Sequence, residues 1–171
     1  LLDGDRHQRQ RKLLMPPFHG ERMRAYGRLI CQLTQQVADT WQIDRPFAVR
    51  PAMQEITMRV ILQAVFGLNE GSRYRQLQQL LGQLLDMTGS PLKSSFLFFP
   101  ALKKDLGAWS PWGRIMRQHQ QVDDLIYAEI RERRENSDRD REDILTLLLS
   151  ARDEQGEGMS DVELHDELMT L

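Results

Sequence analysis

Apolar residues in this chain recur every three or four positions and almost nowhere in strict alternation, which constrains the fold to amphipathic helices. Between residues 20 and 41 the helical spacing picks out Met23, Gly27, Ile30, Thr34, Val37 and Trp41. A second helix is expected to start near Pro51, a residue suited to a first helical turn, with Met53, Ile56, Val60 and Ala64 facing inward and Gly67 as its stop. A third is expected from about Glu70 to Met87, with Tyr74, Leu77, Leu81 and Leu84 on one face. Ser110 and Pro111 open a long helix as cap and first residue, with Ile115, His119, Val122, Ile126 and Ile130 on its buried side. The run Arg131–Asp143 interleaves arginines with carboxylates and reads as a solvated surface. Ile144–Ala151 is a short apolar helix and Gly156-Glu157-Gly158 a turn. Ser160 and Glu163 then form a capping box for a last helix. No strand pattern, internal repeat or low-complexity segment interrupts this series. The fold class is therefore mainly α, with little or no sheet.

The 171 residues suit one domain or part of a larger one, and a net charge of −2 gives no overall field favouring nucleic acid. Charge is uneven, however. Residues 1–28 hold seven Lys/Arg against three acids, an excess of four. Cys31 is the single cysteine, so no internal disulfide forms and nothing argues for secretion. No apolar run approaches the ~20 residues needed to cross a bilayer. The chain lacks an initiating Met and stops at Leu171 in mid-pattern, so both ends read as cut. No histidine falls in a zinc-binding frame, and no phosphate loop or nucleophile elbow is present. His119 reads as a packed core residue, His165 as a surface or packing residue, and Cys31 as a small half-buried helix residue.

The first eighteen residues carry the most specific chemistry. His7 and Arg11 sit four apart in a short helix stopped by Pro16-Pro17 and followed by Phe18. Positions i and i+4 share a helix face, so two donors, one permanently cationic, point the same way. Such a pair suits a buried anion such as a carboxylate or phosphate.

The pattern His7-x-x-x-Arg11 followed by Pro16-x-Phe18, with the runs Asp3–His7 and Lys12–Gly20 around it, resembles the cytochrome P450 family. The order of helices is also similar to that family's. The resemblance covers residues 1–171, as a partial cytochrome P450 domain lacking both its ends. It implies that His7 and Arg11 hold the propionates of haem b, and that Arg11→Ala loosens haem more than Arg9→Ala does. It implies a haem-thiolate monooxygenase that, when complete, hydroxylates an apolar small molecule using O2. Two electrons from NAD(P)H would arrive through a ferredoxin- or flavoprotein-type donor, and the basic N-terminal stretch would dock that acidic partner. It also places a substrate channel along the apolar connection after the third helix, where Met87, Leu92, Phe96, Phe98 and Phe99 are the candidate lining residues, and a fatty acid or terpenoid-like substrate suits them. Cys31 lacks the loop that shields the family's thiolate, so the iron ligand is expected outside these residues, as are the family's acidic-Thr and Glu-x-x-Arg pairs. The expected location is cytoplasmic, with a membrane anchor left open because the N-terminus is missing. The competing reading is a non-catalytic helical interaction or regulatory domain whose basic first helix binds an acidic partner or nucleic acid.

Overall fold

Helix signals written in the sequence set the element boundaries. Ser110 Oγ accepts from Gly113 N at 3.0 Å, and Pro111 follows it as the first helical residue. Glu163 N donates to Ser160 Oγ at 3.2 Å while Ser160 N donates back to Glu163 Oε2 at 2.8 Å, the reciprocal bonds of a capping box. Gly67 takes φ +61°, a left-handed conformation that ends the helix before it. The computed structural model describes residues 4–88, 110–136 and 141–170. Among them are seven α-helices and no strand. They are α1 (Asp5–Leu14), α2 (Glu21–Ala38), α3 (Val49–Val60), α4 (Ser72–Thr88), α5 (Pro111–Glu135), α6 (Ile144–Ser150) and α7 (Asp161–Thr170). A single 3-10 turn, Pro16–Phe18, follows α1, and α3 widens into a π turn at Ile61–Val65.

The core forms where the apolar stripes of these helices meet. Val122, Ile126 and Ile130 of α5 are fully enclosed, against Leu77 of α4, Leu145 and Leu148 of α6 and Leu164 of α7. Leu62 and Phe66, from the π turn and its end, close the same cluster, and Leu13 brings α1 into it. Each such side chain removed from water contributes about 1.5–3 kcal/mol. Helix α2 packs on α3, α4 on α5, and α5 on α7.

Several sequence expectations are corrected. The buried face of α2 is carried by Leu33 and Val37, while Met23, Ile30 and Trp41 are exposed. Val37 thus keeps its expected inner place, Leu33 joins it, and Cys31 is exposed rather than half-buried. Met53 is likewise exposed on α3. His119 is exposed on α5 and not a core residue, because the stripe narrows toward that helix's N-terminal half.

A further correction concerns Arg131–Asp143. Helix α5 continues to Glu135, and Arg133 and Asp143 are buried. Arg133 Nε donates to Glu129 Oε1 at 2.7 Å, and its Nη2 donates to the carbonyl of Phe66 at 2.6 Å. Arg73 of α4 pairs with Glu129 and Glu132, and Arg141 pairs with Asp143. Arg131, Glu132, Arg134 and Glu135 are exposed as expected, whereas Arg133 and Asp143, with Glu129, form a cross-brace between α4, α5, α6 and the end of the π turn.

Candidate functional site

Helix α1 has ten residues and two unlike flanks. At about 100° per residue, Arg9 lies about 200° around the helix from His7 and from Arg11. Leu13 and Gln10 are buried and define the inner side. Arg9 and Lys12 reach the connection between α6 and α7. Arg9 Nε lies 2.6 Å from Asp153 Oδ2, its Nη1 3.0 Å from Glu163 Oε1, and its Nη2 3.2 Å from Gly158 O. Lys12 Nζ lies 2.6 Å from Glu154 Oε1, an exposed pair.

His7 and Arg11 stand on the other flank. Both are exposed, and neither has a hydrogen bond or ion pair among the described residues. They are one turn apart on one face, as the spacing predicts. Fixed donors with nothing in the described chain to receive them form a ready receptor for an anion. A guanidinium bond to a carboxylate is worth about 1.5–3 kcal/mol, and a neutral imidazole still donates from one ring nitrogen. A pair of propionate carboxylates fits this donor set in sign and in number.

Electrostatics distinguish the two flanks. The hydrogen bond from Arg9 holds the Asp153 carboxyl below its ordinary range against the opposing effect of burial, and the amides of Glu157 and Gln155 add to the lowering. The Ser160 amide is the main cause of a similar lowering at Glu163, with the Ser160 hydroxyl and Arg9 helping and burial opposing. Lys12 lowers Glu154 in the same way. Burial, with Asp166 and Glu163 nearby, instead pushes the Glu167 carboxyl up. An open cleft of about 660 Å³ lies on the Arg9 flank, lined by Arg9, Arg134, Arg152, Met159 and Glu163 among others. Its arginines already serve chain acceptors, since Arg134 Nε is 2.6 Å from Asp161 Oδ1 and Arg152 Nη1 donates to the carbonyls of Leu149 and Ala151. The cleft is therefore separate from the face that His7 and Arg11 present.

Of the candidate channel residues, Met87 falls in the last turns of α4. Its side chain, and Leu92, Phe96, Phe98 and Phe99, lie outside the described residues. No group of three or more potential metal ligands occurs among the described residues, and none of their helices is long and apolar enough to cross a membrane. Sequence reasoning missed the role of Arg9, which it treated as one cation in a basic stretch. Its acceptors lie 144–154 residues away, beyond any local pattern. It follows that Arg9 is not an inert comparator for Arg11. The pairing of Arg9 and Lys12 within the chain also leaves α1 with fewer cations for a polyanion than the sequence count suggests.

Comparison with known proteins bears on the same residues. A family model described as cytochrome P450 matches residues 1–171. A protein of Mycobacterium tuberculosis named as cytochrome P450 138 is 39% identical over 171 residues, covering 99% of this chain and 37% of its own length. Another from that organism, named as cytochrome P450 137, is 36% identical over 166 residues, covering 96% of this chain and 34% of its own. Among solved structures, the retinoic acid-bound cyanobacterial CYP120A1 superposes with a TM-score of 0.70 at 18% identity, over 98% of this chain and 35% of that one. The haem domain of cytochrome P450DA gives a TM-score of 0.64 at 21% identity, over 92% of this chain and 32% of that one. The chain thus spans about a third of the length of the relatives it matches.

Proposed function

The chain belongs to the cytochrome P450 family, and we propose that the whole protein is a haem-thiolate monooxygenase in which His7 and Arg11 hold the haem propionates. One observation carries this reading: His7 and Arg11 share a face of α1, exposed and unpaired among the described residues, while Arg9 and Lys12 on the same helix are engaged. A carboxylate withdrawn from water without donors costs several kcal/mol. Arg11 supplies a fixed positive charge and His7 a second donor one turn away. When bound through a cysteine thiolate, haem b supplies the one-electron and oxygen chemistry of the reaction. These residues themselves orient that group and neutralise its acid edge. Cys31, on the exposed face of α2, is not its ligand.

The reaction we assign to the whole protein is insertion of one atom of O2 into a C–H bond of an apolar small molecule, fatty acid or terpenoid-like. NAD(P)H provides the electrons through a ferredoxin- or flavoprotein-type donor. The aromatic run at Phe96, Phe98 and Phe99, with Met87 and Leu92, supports a lipophilic substrate by composition alone. The N-terminal excess of cations supports an acidic electron donor, and the absence of a spanning helix among the described residues is compatible with a cytoplasmic protein.

The test uses the full-length holoprotein and the rate at which haem passes to excess apomyoglobin. Arg11→Ala is expected to raise that rate about tenfold or more, the equivalent of one charge-assisted bond. Arg28→Ala, an exposed cation on α2, should leave it unchanged. Equal rates in the two variants would overturn the assignment. For the channel, Phe98→Ala should alter product regiochemistry, and a variant that changes only the melting temperature would remove Phe98 from it.

A further inference from the structure

Helix α1 enters the core through Leu13, with Gln10 buried and Leu14 half-buried beside it. A short helix held by so narrow a stripe is poorly constrained against rolling about its own axis. A roll of about 100°, one residue's worth, would turn the face that His7 and Arg11 share away from its present direction. The group that opposes such a roll is Arg9. Its planar fork meets three acceptors, Asp153 Oδ2, Glu163 Oε1 and Gly158 O, which come from the turn after α6 and from the first turn of α7. A single ion pair leaves rotation open, whereas a guanidinium bound on several sides fixes direction.

The acceptors are themselves held in place. Asp153 gives its Oδ2 to Arg9 and its Oδ1 to the amides of Gln155 and Glu157, at 3.0 and 2.8 Å. Glu163 gives its Oε1 to Arg9 and its Oε2 to the Ser160 amide at 2.8 Å. Each carboxylate therefore spends one oxygen on its own backbone and offers the other to Arg9. Gly158 sits under the Arg152 guanidinium, where a Cβ would stand 3.0 Å from Arg152 Nη1. Arg134 of α5 grips the same connection through Met159 O at 2.7 Å. The receptor for Arg9 is thus braced from α5 and α7 before α1 meets it. Lys12–Glu154, both ends exposed, adds little to this.

We propose that Arg9 is a positioning residue for the haem: gripped by Asp153, Glu163 and the Gly158 carbonyl, it sets the rotation of α1 that aims His7 and Arg11 at the propionates. The proposal rests on the reading of His7 and Arg11 as propionate donors. Arg9 acts as a positioning residue only, and its effect passes through His7 and Arg11.

The experiment takes the full-length holoprotein with Arg9→Met, Asp153→Asn, Arg11→Ala and the double variant Arg9→Met with Arg11→Ala. Two readouts are used: haem transfer to excess apomyoglobin and the propionate-bending band in resonance Raman spectra. Arg9→Met and Asp153→Asn are each expected to speed haem transfer about tenfold, as loss of a supporting residue behind a ligand contact does, and to shift the propionate band. The double variant should release haem faster than Arg11→Ala by clearly less than the tenfold of Arg9→Met alone, because only the route through His7 is left. Effects that multiply in the double variant would show that Arg9 acts on general stability, and an unchanged band in Arg9→Met would overturn the proposal equally. Should Arg9→Met not accumulate folded, the isosteric Asp153→Asn carries the comparison. An unchanged rate in Arg11→Ala identifies failure of the propionate assignment, whereas a fast Arg11→Ala beside a normal Arg9→Met identifies failure of the Arg9 proposal alone.

Discussion

Arg133 and Asp143 are buried together, Nη1 to Oδ2 at 3.1 Å, with side chains 7% and 4% exposed. The contact joins the end of α5 to the start of α6. Every nitrogen of the guanidinium has an acceptor: Glu129 for Nε, Asp143 and Thr146 Oγ1 for Nη1, and the Phe66 carbonyl for Nη2. Asp143 is also the N-cap of α6, accepting from Thr146 N at 2.9 Å. A buried charge is tolerated when it is satisfied on all sides and becomes a liability when one partner is removed.

Asp143→Ala is therefore expected to destabilise the protein by about 3–5 kcal/mol, the cost of orphaning a buried charge. Asp143→Asn keeps an acceptor for the cap and should lose less. Urea denaturation measures both. A loss below about 1 kcal/mol for Asp143→Ala, typical of an exposed pair, would mean that the brace is open to water.

Gly67 lies against the same brace. Its φ is +61°, and a Cβ there would meet Asp143 Oδ2 and stand 2.8 Å from Arg141 Nη2. Gly156 has φ +83° with nothing within 4 Å of a Cβ. Gly156→Ala should cost about 1–2 kcal/mol, from the left-handed backbone alone. Gly67→Ala should cost that and more, since it also pushes Asp143 off Arg133. Equal losses in thermal melts would show that the charged cluster yields without penalty.

The helices were legible because their ends are chemically marked: Ser110 and Pro111, the Ser160–Glu163 box and the Gly67 stop lie where the spacing puts them. The inward orientation of Glu129 and Arg133 was not, because a charged run announces sign but not direction. Nothing near Arg133 in sequence reveals that its acceptor is a carbonyl 67 residues earlier. On α2 the spacing found Val37 but overextended the stripe: Met23 and Ile30 share its phase yet are exposed, Trp41 lies beyond the helix end at Ala38, and Leu33 was missed. His7 and Arg11 could be placed on one face from spacing alone, since that relation is internal to one helix. Arg9 could not be assigned, since its acceptors are supplied by the far end of the chain.

His165 illustrates a role that composition leaves open. Its ring stacks on Tyr127 at 4.5 Å and 4°, and its Nε2 lies 2.9 Å from Asp123 Oδ1, joining α7 to α5. His165→Phe keeps the stack and is expected to cost well under 1 kcal/mol, because the Asp123 contact is partly exposed. His165→Ala should cost about 1–2 kcal/mol through the lost ring contact and its burial. If Phe proves as costly as Ala, the Asp123 bond rather than the ring secures the junction.

The grip on Arg9 should be acid-labile. Asp153 and Glu163 are held below their ordinary values in the folded chain. A carboxyl so lowered contributes stability that is fully present above its unfolded value, about 3.9 for Asp and 4.3 for Glu, and lost as pH falls through the folded value. Arg9 is shifted upward, first by its hydrogen bond to Asp153, so its contribution is lost only in strong alkali. The pH window is therefore set by the two carboxylates and opens on the acid side of about pH 4. Amide exchange in α1, corrected for the intrinsic pH dependence, is expected to rise as the pH is lowered from 5 to about 3, before the core of α5 opens. Asp153→Asn should show the raised α1 exchange already at pH 5 and a shallower pH dependence, since one of the two titrating groups is gone. Exchange in α1 that tracks α5 at every pH, in both proteins, would show that the helix leaves only with global unfolding and that the Arg9 contacts do not hold it locally.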